Sequence, residues 1–390
     1  MKPLVMQDQV RIDEVDLALV NALQIQPRAP WALVGRVLGI DPVTAARRWA
    51  RLEAAGMAWV SCYPPTTPDT SMAFIELVCE PGYGVAVAQQ LAGDPQAISV
   101  DVTAGDRDVF VTVLTPDRDT MSEYLLDRLG RVRHLQRVRS HVAVRLYTEG
   151  SRWRLRSLDR HQSAALRSAP PEAGHAARTM RPPNEEDWAI AVTLATDGRA
   201  SIGTLAAASG VSVSTARRRL DRMLAGQQIR LRCEFTRALS GWPVNAWLFT
   251  RVQPSQLDEA GRLLARIPEV RTVTATAGPC NLIMAVWLRS LSDVPELEKQ
   301  ISREMPYLDI VDRSVVVRPI KLVGRLLGKE GHATGAVIPV DTRRLPTTVE
   351  RWRTRSGGAD ERGPAASSVD MAPSDAGPRP ARDRACGDTA

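Results

Sequence analysis

The sequence has few cysteines and histidines and no long apolar run, and each absence excludes a class of protein. The five cysteines are far apart and form no CxxC pair, so a disulfide framework or a zinc site is not expected. They are Cys62, Cys79, Cys233, Cys280 and Cys386. No apolar run approaches the roughly 20 residues that cross a bilayer, and the first residues turn polar before a signal-peptide core could form. We therefore expect a cytoplasmic chain without membrane contact.

The motifs of common catalytic sites are absent as well. The sequence contains no P-loop, HExxH or GxSxG, and GYG at 82–84 lacks the third glycine of a dinucleotide fingerprint. The five histidines are scattered and make no metal-binding pair at helical spacing. We therefore expect no catalytic residue, no metal and no cofactor.

Length and charge favour a multidomain protein with an anionic partner. A chain of 390 residues is too long for one small core. Its net charge of +7 and pI of about 9.5 favour nucleic acid first and an anionic membrane surface second.

Two arginine-rich stretches of the sequence resemble each other. IDPVTAARRWARLEAAGM at 40–57 aligns without a gap with VSVSTARRRLDRMLAGQQ at 211–228, an offset of 171 residues. Extended backward in the same register, the match covers roughly 45 residues in all with its apolar positions preserved, as expected of an internal repeat. The sequence therefore predicts two copies of one unit.

Each copy predicts three helices. A capping box opens the first helix, a glycine ends the second, and an Asp or Ser N-cap opens the third. The second helix is expected over Trp31–Leu38 and Ile202–Ser209. The two copies place the three signals at Asp13, Gly39 and Asp41, and at Asn184, Gly210 and Ser212. Short helices joined by a glycine-containing turn, with arginines on the last, indicate a helix-turn-helix.

The third helix of each copy carries the candidate DNA contacts. Spacings of three, four and seven put most of its arginines on one side, and guanidinium groups suit phosphate oxygens and guanine edges. The alternative is a solvated basic helix face, but the face recurs in both copies. The predicted contacts are Thr44, Arg47, Arg48 and Arg51 in the first copy, and Ser214, Thr215, Arg217, Arg218, Arg219 and Arg222 in the second.

A different pattern of apolar and polar residues follows each helix-turn-helix. Alternating apolar stretches and amphipathic stretches give the order β-α-β-β-α-β over 70–148 and again over 242–327. That order predicts a ferredoxin-like sandwich whose helices cover one face of the sheet. The other face is free to pair, so we expect self-association through these domains.

These segments together resemble the Lrp/AsnC family of transcriptional regulators. IDEVDLALVNALQ with GIDPVTAARRWARLEAAGM resembles its helix-turn-helix, and NEEDWAIAVTLATDGRASIGTLAAASGVSVSTARRRLDRM resembles the same domain again. Ordinary members have one such domain and one sandwich, pair as dimers, and can bind effectors that are often amino acids. The resemblance implies an α+β chain of two winged, three-helix helix-turn-helix domains alternating with two ferredoxin-like sandwiches. It also implies a nucleoid-associated regulator that binds double-stranded DNA as a fused dimer.

The resemblance also implies a tentative effector region at two turns. TAGDRD has the family's glycine-then-acid pattern at Gly105 and Asp108, whereas TAGPCN has Gly278 and Asn281. Because only a carboxylate neutralises an ammonium group, the first turn is the better candidate for an amino-acid site. The alternative is that both glycines simply form hairpin turns.

The remaining segments are predicted to connect or extend the domains. The stretch 150–183 carries seven arginines against two acids, and we expect a flexible basic linker that could contact DNA. The tail is Gly-, Pro- and Ala-rich and is expected to be disordered. The predicted domains are 11–62 and 184–235 for the helix-turn-helix units, 70–148 and 242–327 for the sandwiches, 149–183 for the linker and 328–390 for the tail.

Two rival interpretations remain open. Sirohaem decarboxylases resemble Lrp/AsnC proteins in fold, and RLRCEFTRALSGWPVNAWLF at 230–249 faintly resembles their segment after the helix-turn-helix. They require histidines near the substrate, whereas the second half has only His332. The other rival is a scaffold that does not bind DNA, against which the doubled arginine faces argue.

Overall fold

A computed structural model describes residues 11–63, 70–168 and 183–340. The first unit contains three helices, α1 (Glu14–Ile25), α2 (Trp31–Leu38) and α3 (Pro42–Ala54), and strand β1 (Ala58–Tyr63). The capping box of Asp13 and Asp16 opens α1, and Asp41 caps α3. Gly39 ends α2 with a φ of 68°, which glycine adopts without strain. The predicted bounds of α2 and the predicted caps are confirmed.

The first β-α-β-β-α-β segment follows. It consists of β2 (Ser71–Cys79), α4 (Gly84–Ala92), β3 (Ala97–Ala104), β4 (Val109–Thr115), α5 (Arg118–Glu123) and β5 (Leu135–Thr148). The helix expected after β4 is present, but its hydrogen-bonding pattern changes along its length. After α5 a wider, π-helical turn spans Tyr124–Arg128 and a tighter 3-10 turn spans Leu129–Arg131. There the Tyr124 hydroxyl and the Arg128 guanidinium both donate to Asp94, a buried carboxylate that holds this wider turn.

The expected flexible linker is wrong for its described part. Helix α6 (Arg160–Ser168) packs against α1 and α2, and Trp153, Leu155 and Leu166 are buried in the core of the first three-helix unit. Asn21 on α1 accepts hydrogen bonds from two backbone N–H groups of this segment. The apolar residues between the arginines explain why this segment is folded, because burying them in the core stabilises it. Residues 169–182 lie outside the described residues.

The second three-helix unit consists of α7 (Glu185–Thr196), α8 (Ile202–Ser209) and α9 (Val213–Ala225), followed by β6 (Arg230–Phe235). Asn184 and Asp187 form the predicted capping box, and Ser212 caps α9. Gly210 ends α8 with a φ of 67°. The bounds predicted for α8 are confirmed.

The second β-α-β-β-α-β segment ends in an additional hairpin. It consists of β7 (Val244–Val252), α10 (Leu257–Leu264), β8 (Val270–Ala277), β9 (Leu282–Leu288), α11 (Asp293–Glu304) and β10 (Leu308–Leu322). The hairpin consists of β11 (Arg325–Leu327) and β12 (Ala333–Val337). The expectation of disorder from 328 is therefore wrong up to residue 340, and residues 341–390 lie outside the described ranges.

The strands of both segments form one closed sheet, which we call the sheet ring. Its order is β10-β3-β4-β2-β5-β8-β9-β7, and β7 pairs again with β10. The two junctions between the segments are equivalent, since Val142 pairs with Ala277 and Val315 with Ala104. Phe74 and Phe110 from one segment pack inside the ring against Trp247 and Phe249 from the other. Each segment covers its outer face with its own helices.

The strands that leave the two three-helix units pair with each other. β1 and β6 form an antiparallel two-stranded sheet, which we call the β1–β6 ribbon, with Ala58 opposite Phe235. Cys62 of β1 is buried in the core of the second three-helix unit, and Cys233 of β6 is buried in the core of the first. Burial raises the pKa of both thiols. Each unit therefore completes its core with a strand from the other.

Candidate nucleic-acid interface

The N-terminal turns of α3 and α9 present the exposed part of the candidate interface. Arg47 on α3 and Arg217 and Arg218 on α9 are exposed, as is Ser214, while Thr44 and Thr215 are half-buried. In a helix-turn-helix this end of the last helix contacts base edges. These six predicted residues therefore lie where a DNA-binding role requires them.

Exposed apolar side chains at the same turns were not anticipated from the sequence. Val43 is 74% exposed and Val213 is 55% exposed, although both lie in the first turn of helices that bury other apolar residues. An apolar side chain at this position can contact a thymine methyl group. The signal in the sequence is a valine at the first turn that does not fit the apolar spacing of its helix.

The other predicted arginines of α3 bind the first helix of their own unit. Arg48 forms ion pairs with Asp13 at 2.8 Å and with Asp16 at 2.9 Å, and Arg51 pairs with Asp16. The Asp16 side chain is fully buried, so these bonds hold α3 against the start of α1. Burial opposes ionisation of Asp13, but hydrogen bonds from Asp16 N–H and Arg48 lower its pKa.

The same arrangement recurs in the second unit. Arg219 donates to Asp187 at 2.9 Å and to Asn184 at 2.9 Å, and Arg222 donates to Asp187 at 2.6 Å. Burial opposes ionisation of Asp187, but the bonds from Arg222 and Arg219 outweigh it and lower its pKa. Most of the predicted arginines face solvent as expected, namely Arg47, Arg51, Arg217 and Arg218. The unexpected feature is that Arg48, Arg51, Arg219 and Arg222 are paired with acidic groups of their own unit, and their contact with DNA stays a prediction.

A reciprocal pair of arginines joins the two three-helix units. Arg28 donates to the carbonyl oxygens of Gly198 and Ala200, both at 2.9 Å. Arg199 donates to those of Pro27 and Ala29, and its guanidinium lies 4.1 Å from the ring centroid of Trp31. The sequence offered one signal for this contact, since an arginine occurs at the equivalent position of both copies. Because both arginines lie in turns, the sequence pattern did not predict where their side chains point.

The two turns predicted as an effector region have a structural role. Asp108 accepts the N–H of Cys79 at 2.7 Å, and Asn281 accepts the N–H of Val252 at 2.9 Å while donating to its carbonyl oxygen. Both side chains thus hold the neighbouring strand. Gly105 and Gly278 have φ values of 118° and 147°, as the alternative of hairpin turns requires. Binding of an effector at these four residues stays a prediction.

Histidine and metal chemistry have little support in the described part of the chain. His141 is buried and its Nε2 is hydrogen-bonded to Glu76, which also accepts from Arg107 at 2.6 Å. Among residues 11–63, 70–168 and 183–340 no group of three His, Cys, Asp or Glu side chains could hold a metal. Over the same ranges no helix is long and apolar enough to cross a membrane.

Comparisons with known proteins agree with this geometry. Residues 12–53 match the AsnC-type helix-turn-helix domain, and residues 72–153 match the Lrp/AsnC ligand binding domain. The HTH-type transcriptional regulator FL11 of Pyrococcus horikoshii is 25% identical over 144 residues, which are 36% of this chain and 95% of FL11. An uncharacterised HTH-type transcriptional regulator of Pyrococcus furiosus is 30% identical over 134 residues, 34% of this chain and 90% of the relative.

The likeness to a solved structure extends over both halves of the chain. The crystal structure of the siroheme decarboxylase NirDL has a TM-score of 0.50 and 16% identity, covering 82% of this chain and 96% of that one. At this identity the likeness concerns the fold alone.

Helix-turn-helix and ferredoxin-like domains define this chain as a DNA-binding transcriptional regulator with a ligand-binding domain. The chain belongs to the Lrp/AsnC family.

Proposed function

We propose that the two halves of this chain take the places of the two subunits of a regulator dimer, so that one polypeptide reads two DNA half-sites. The observation that carries the proposal is that contacts between the halves come in exchanged pairs. β5 pairs with β8 while β10 pairs with β3, and Arg28 and Arg199 each bind the other unit's turn. Such exchange is the mark of a two-fold interface.

The proposal assigns one recognition helix to each half-site. A two-fold arrangement suits a pseudo-palindromic operator with half-sites about 10 bp, or a multiple of that, apart. The two helices differ at equivalent positions, since α9 has the exposed Arg217 where α3 has Ala46. We therefore expect half-sites of unequal sequence, with an additional guanine or phosphate contact on the side of α9.

The proposal makes the chain a nucleoid-associated binding protein rather than an enzyme. The names of its relatives support this, since they are HTH-type transcriptional regulators. The decarboxylase alternative has a direct test, because a bound tetrapyrrole shifts its Soret band. We expect no such shift when a tetrapyrrole is added to the purified chain.

The DNA-binding test compares matched single variants. The purified chain first selects its sites from random duplexes, and fluorescence anisotropy then gives affinity at several salt concentrations. Arg47→Ala and Arg218→Ala should each relax base preference in one half-site only, by about 1–3 kcal/mol for a guanine contact. For a phosphate contact the salt slope should instead fall by about 0.9.

Arg303→Ala on α11 is the control, because it removes an equally exposed arginine from a helix that covers the sheet ring. Mass photometry of the complex gives the number of chains per site. Two chains for each pair of half-sites, or full affinity in both recognition-helix variants, contradicts the proposal.

Response to a small molecule is the second part of the proposal, supported by the match to a ligand binding domain. If an amino acid binds at the first turn, its ammonium group shares Asp108 with the N–H of Cys79. Calorimetry should then show weaker binding to Asp108→Asn than to the wild type. Light scattering tests further self-association of whole chains.

A further inference from the structure

A cavity of about 440 Å³ lies between the β1–β6 ribbon and the sheet ring. Its wall is built by both halves, with Met72 and Ile98 from the first segment and Asn245 and Val316 from the second. The volume falls in the range of small-molecule sites, which occur preferentially at domain interfaces. The cavity is separate from the turns at Asp108 and Asn281, neither of which lines it.

Aromatic side chains are concentrated around this cavity. The whole chain has only nine Trp, five Tyr and four Phe residues, 18 in all. Six of them line the cavity, namely Trp59, Tyr63, Phe74, Phe235, Trp247 and Trp287. Aromatic faces favour a flat apolar ligand, because offset and edge-to-face ring contacts add to the area buried.

The charges of the wall do not balance. Arg232 and Arg271, whose side chains are 9% and 6% exposed, share the single carboxylate of Glu234. Arg230 pairs with Glu149, and Asp101 attracts Arg237. Four guanidinium groups thus meet three carboxylates, and the exposed Lys329 and Glu330 add one charge of each sign to the wall. Burial raises the pKa of the Tyr63 hydroxyl, which adds no charge. Arg230 is 39% exposed, so solvent screens part of this charge, but the wall keeps one positive charge in excess. Such a balance favours an anionic ligand over a cationic one.

Two polar side chains of the same wall have atoms that make no hydrogen bond. Arg237 Nη1 and Asn245 Oδ1 are buried and have no hydrogen-bond partner among the described residues. Buried polar groups are normally satisfied. An unused donor on an arginine and an unused amide oxygen therefore agree with a ligand that carries an acid group and a second polar substituent.

We propose that this cavity binds an aromatic carboxylate of one or two fused rings. The rings stack among the aromatic side chains, and the carboxylate compensates the excess arginine charge. The ligand contacts the β1–β6 ribbon, whose two strands directly follow α3 and α9. Its binding therefore changes the affinity of the chain for DNA. This coupling rests on the proposed DNA-binding function, whereas ligand binding itself does not.

The test uses 1-naphthoate as the probe and calorimetry on the full chain. We expect one site per chain, and at least about tenfold weaker binding of the uncharged 1-naphthalenemethanol, as the loss of a charge-assisted contact predicts. Arg237→Met should weaken 1-naphthoate at least about tenfold, and the control Arg303→Met should not. Thr272→Trp, which fills the cavity and keeps every charge, should abolish binding even if Arg237→Met fails to fold.

Equal affinity for the uncharged probe, or binding unchanged in Thr272→Trp, overturns the site. DNA anisotropy with and without saturating 1-naphthoate tests the coupling separately. A change of affinity in the wild type that is absent in Thr272→Trp supports it, and no change in a chain that binds both molecules overturns the coupling alone. A chain that binds 1-naphthoate but no DNA contradicts the proposed function and leaves the cavity site standing.

Discussion

Asp187 provides a sharp test of the view that four of the seven arginines predicted on α3 and α9 stabilise the fold. Its fully buried carboxylate accepts hydrogen bonds from Arg219 and Arg222 and from the N–H of Asn184. Asp187→Asn keeps a side-chain oxygen for the cap but removes the charge. Removing one partner of a buried ion pair costs about 3–5 kcal/mol. Because the two arginines are 15–18% exposed and can turn toward water, we expect Asp187→Asn to lower the free energy of unfolding by about 2–3 kcal/mol.

Urea unfolding and hydrogen exchange of the amides in α7–α9 measure this loss. Asp309→Asn, at an exposed position on β10, makes the same chemical change and should stay within about 0.5 kcal/mol. The pKa of Asp187 is lowered in the folded state, so its contribution is complete above the unfolded value near 3.9 and is lost as pH falls through the folded value. The difference between the wild type and Asp187→Asn should therefore shrink below about pH 4. If Asp187→Asn lowers the free energy of unfolding by less than about 0.5 kcal/mol at pH 7 with an unchanged m-value, the stabilising role of these ion pairs is refuted.

Two further predictions follow from contacts between the halves and from a buried lysine. Arg199→Ala removes two hydrogen bonds to backbone carbonyls of the first unit and should cost about 1.5–3 kcal/mol in urea unfolding, with a similar loss for Arg28→Ala. Burial lowers the pKa of Lys321 to about 7, against the attraction of Asp94. The unfolded chain thus binds more protons between about pH 7 and pH 10, so stability should rise with pH there. That rise should vanish in Lys321→Met, and its persistence would contradict the assignment.

Local signals in the sequence predicted the helices and strands closely. The bounds of α2 and α8 and the caps at Asp13, Asn184 and Ser212 depend on residues a few positions apart, and all are confirmed. The alternation of apolar residues likewise predicted the β-α-β-β-α-β order of both segments, which the structure has. Signals of this kind act within one turn or one strand, so neighbouring residues suffice to predict them.

Only the tertiary structure decided which neighbours distant residues acquire. Arg47 and Arg48 are adjacent and chemically identical, yet one is exposed and the other binds Asp13 and Asp16, because helix rotation turns them toward different surroundings. The pairing of β1 with β6 and the two junctions of the sheet ring join residues more than 100 positions apart, and the cavity lies between these two sheets. Periodicity shows that a face is apolar, but which surface covers it depends on the packing of the whole chain.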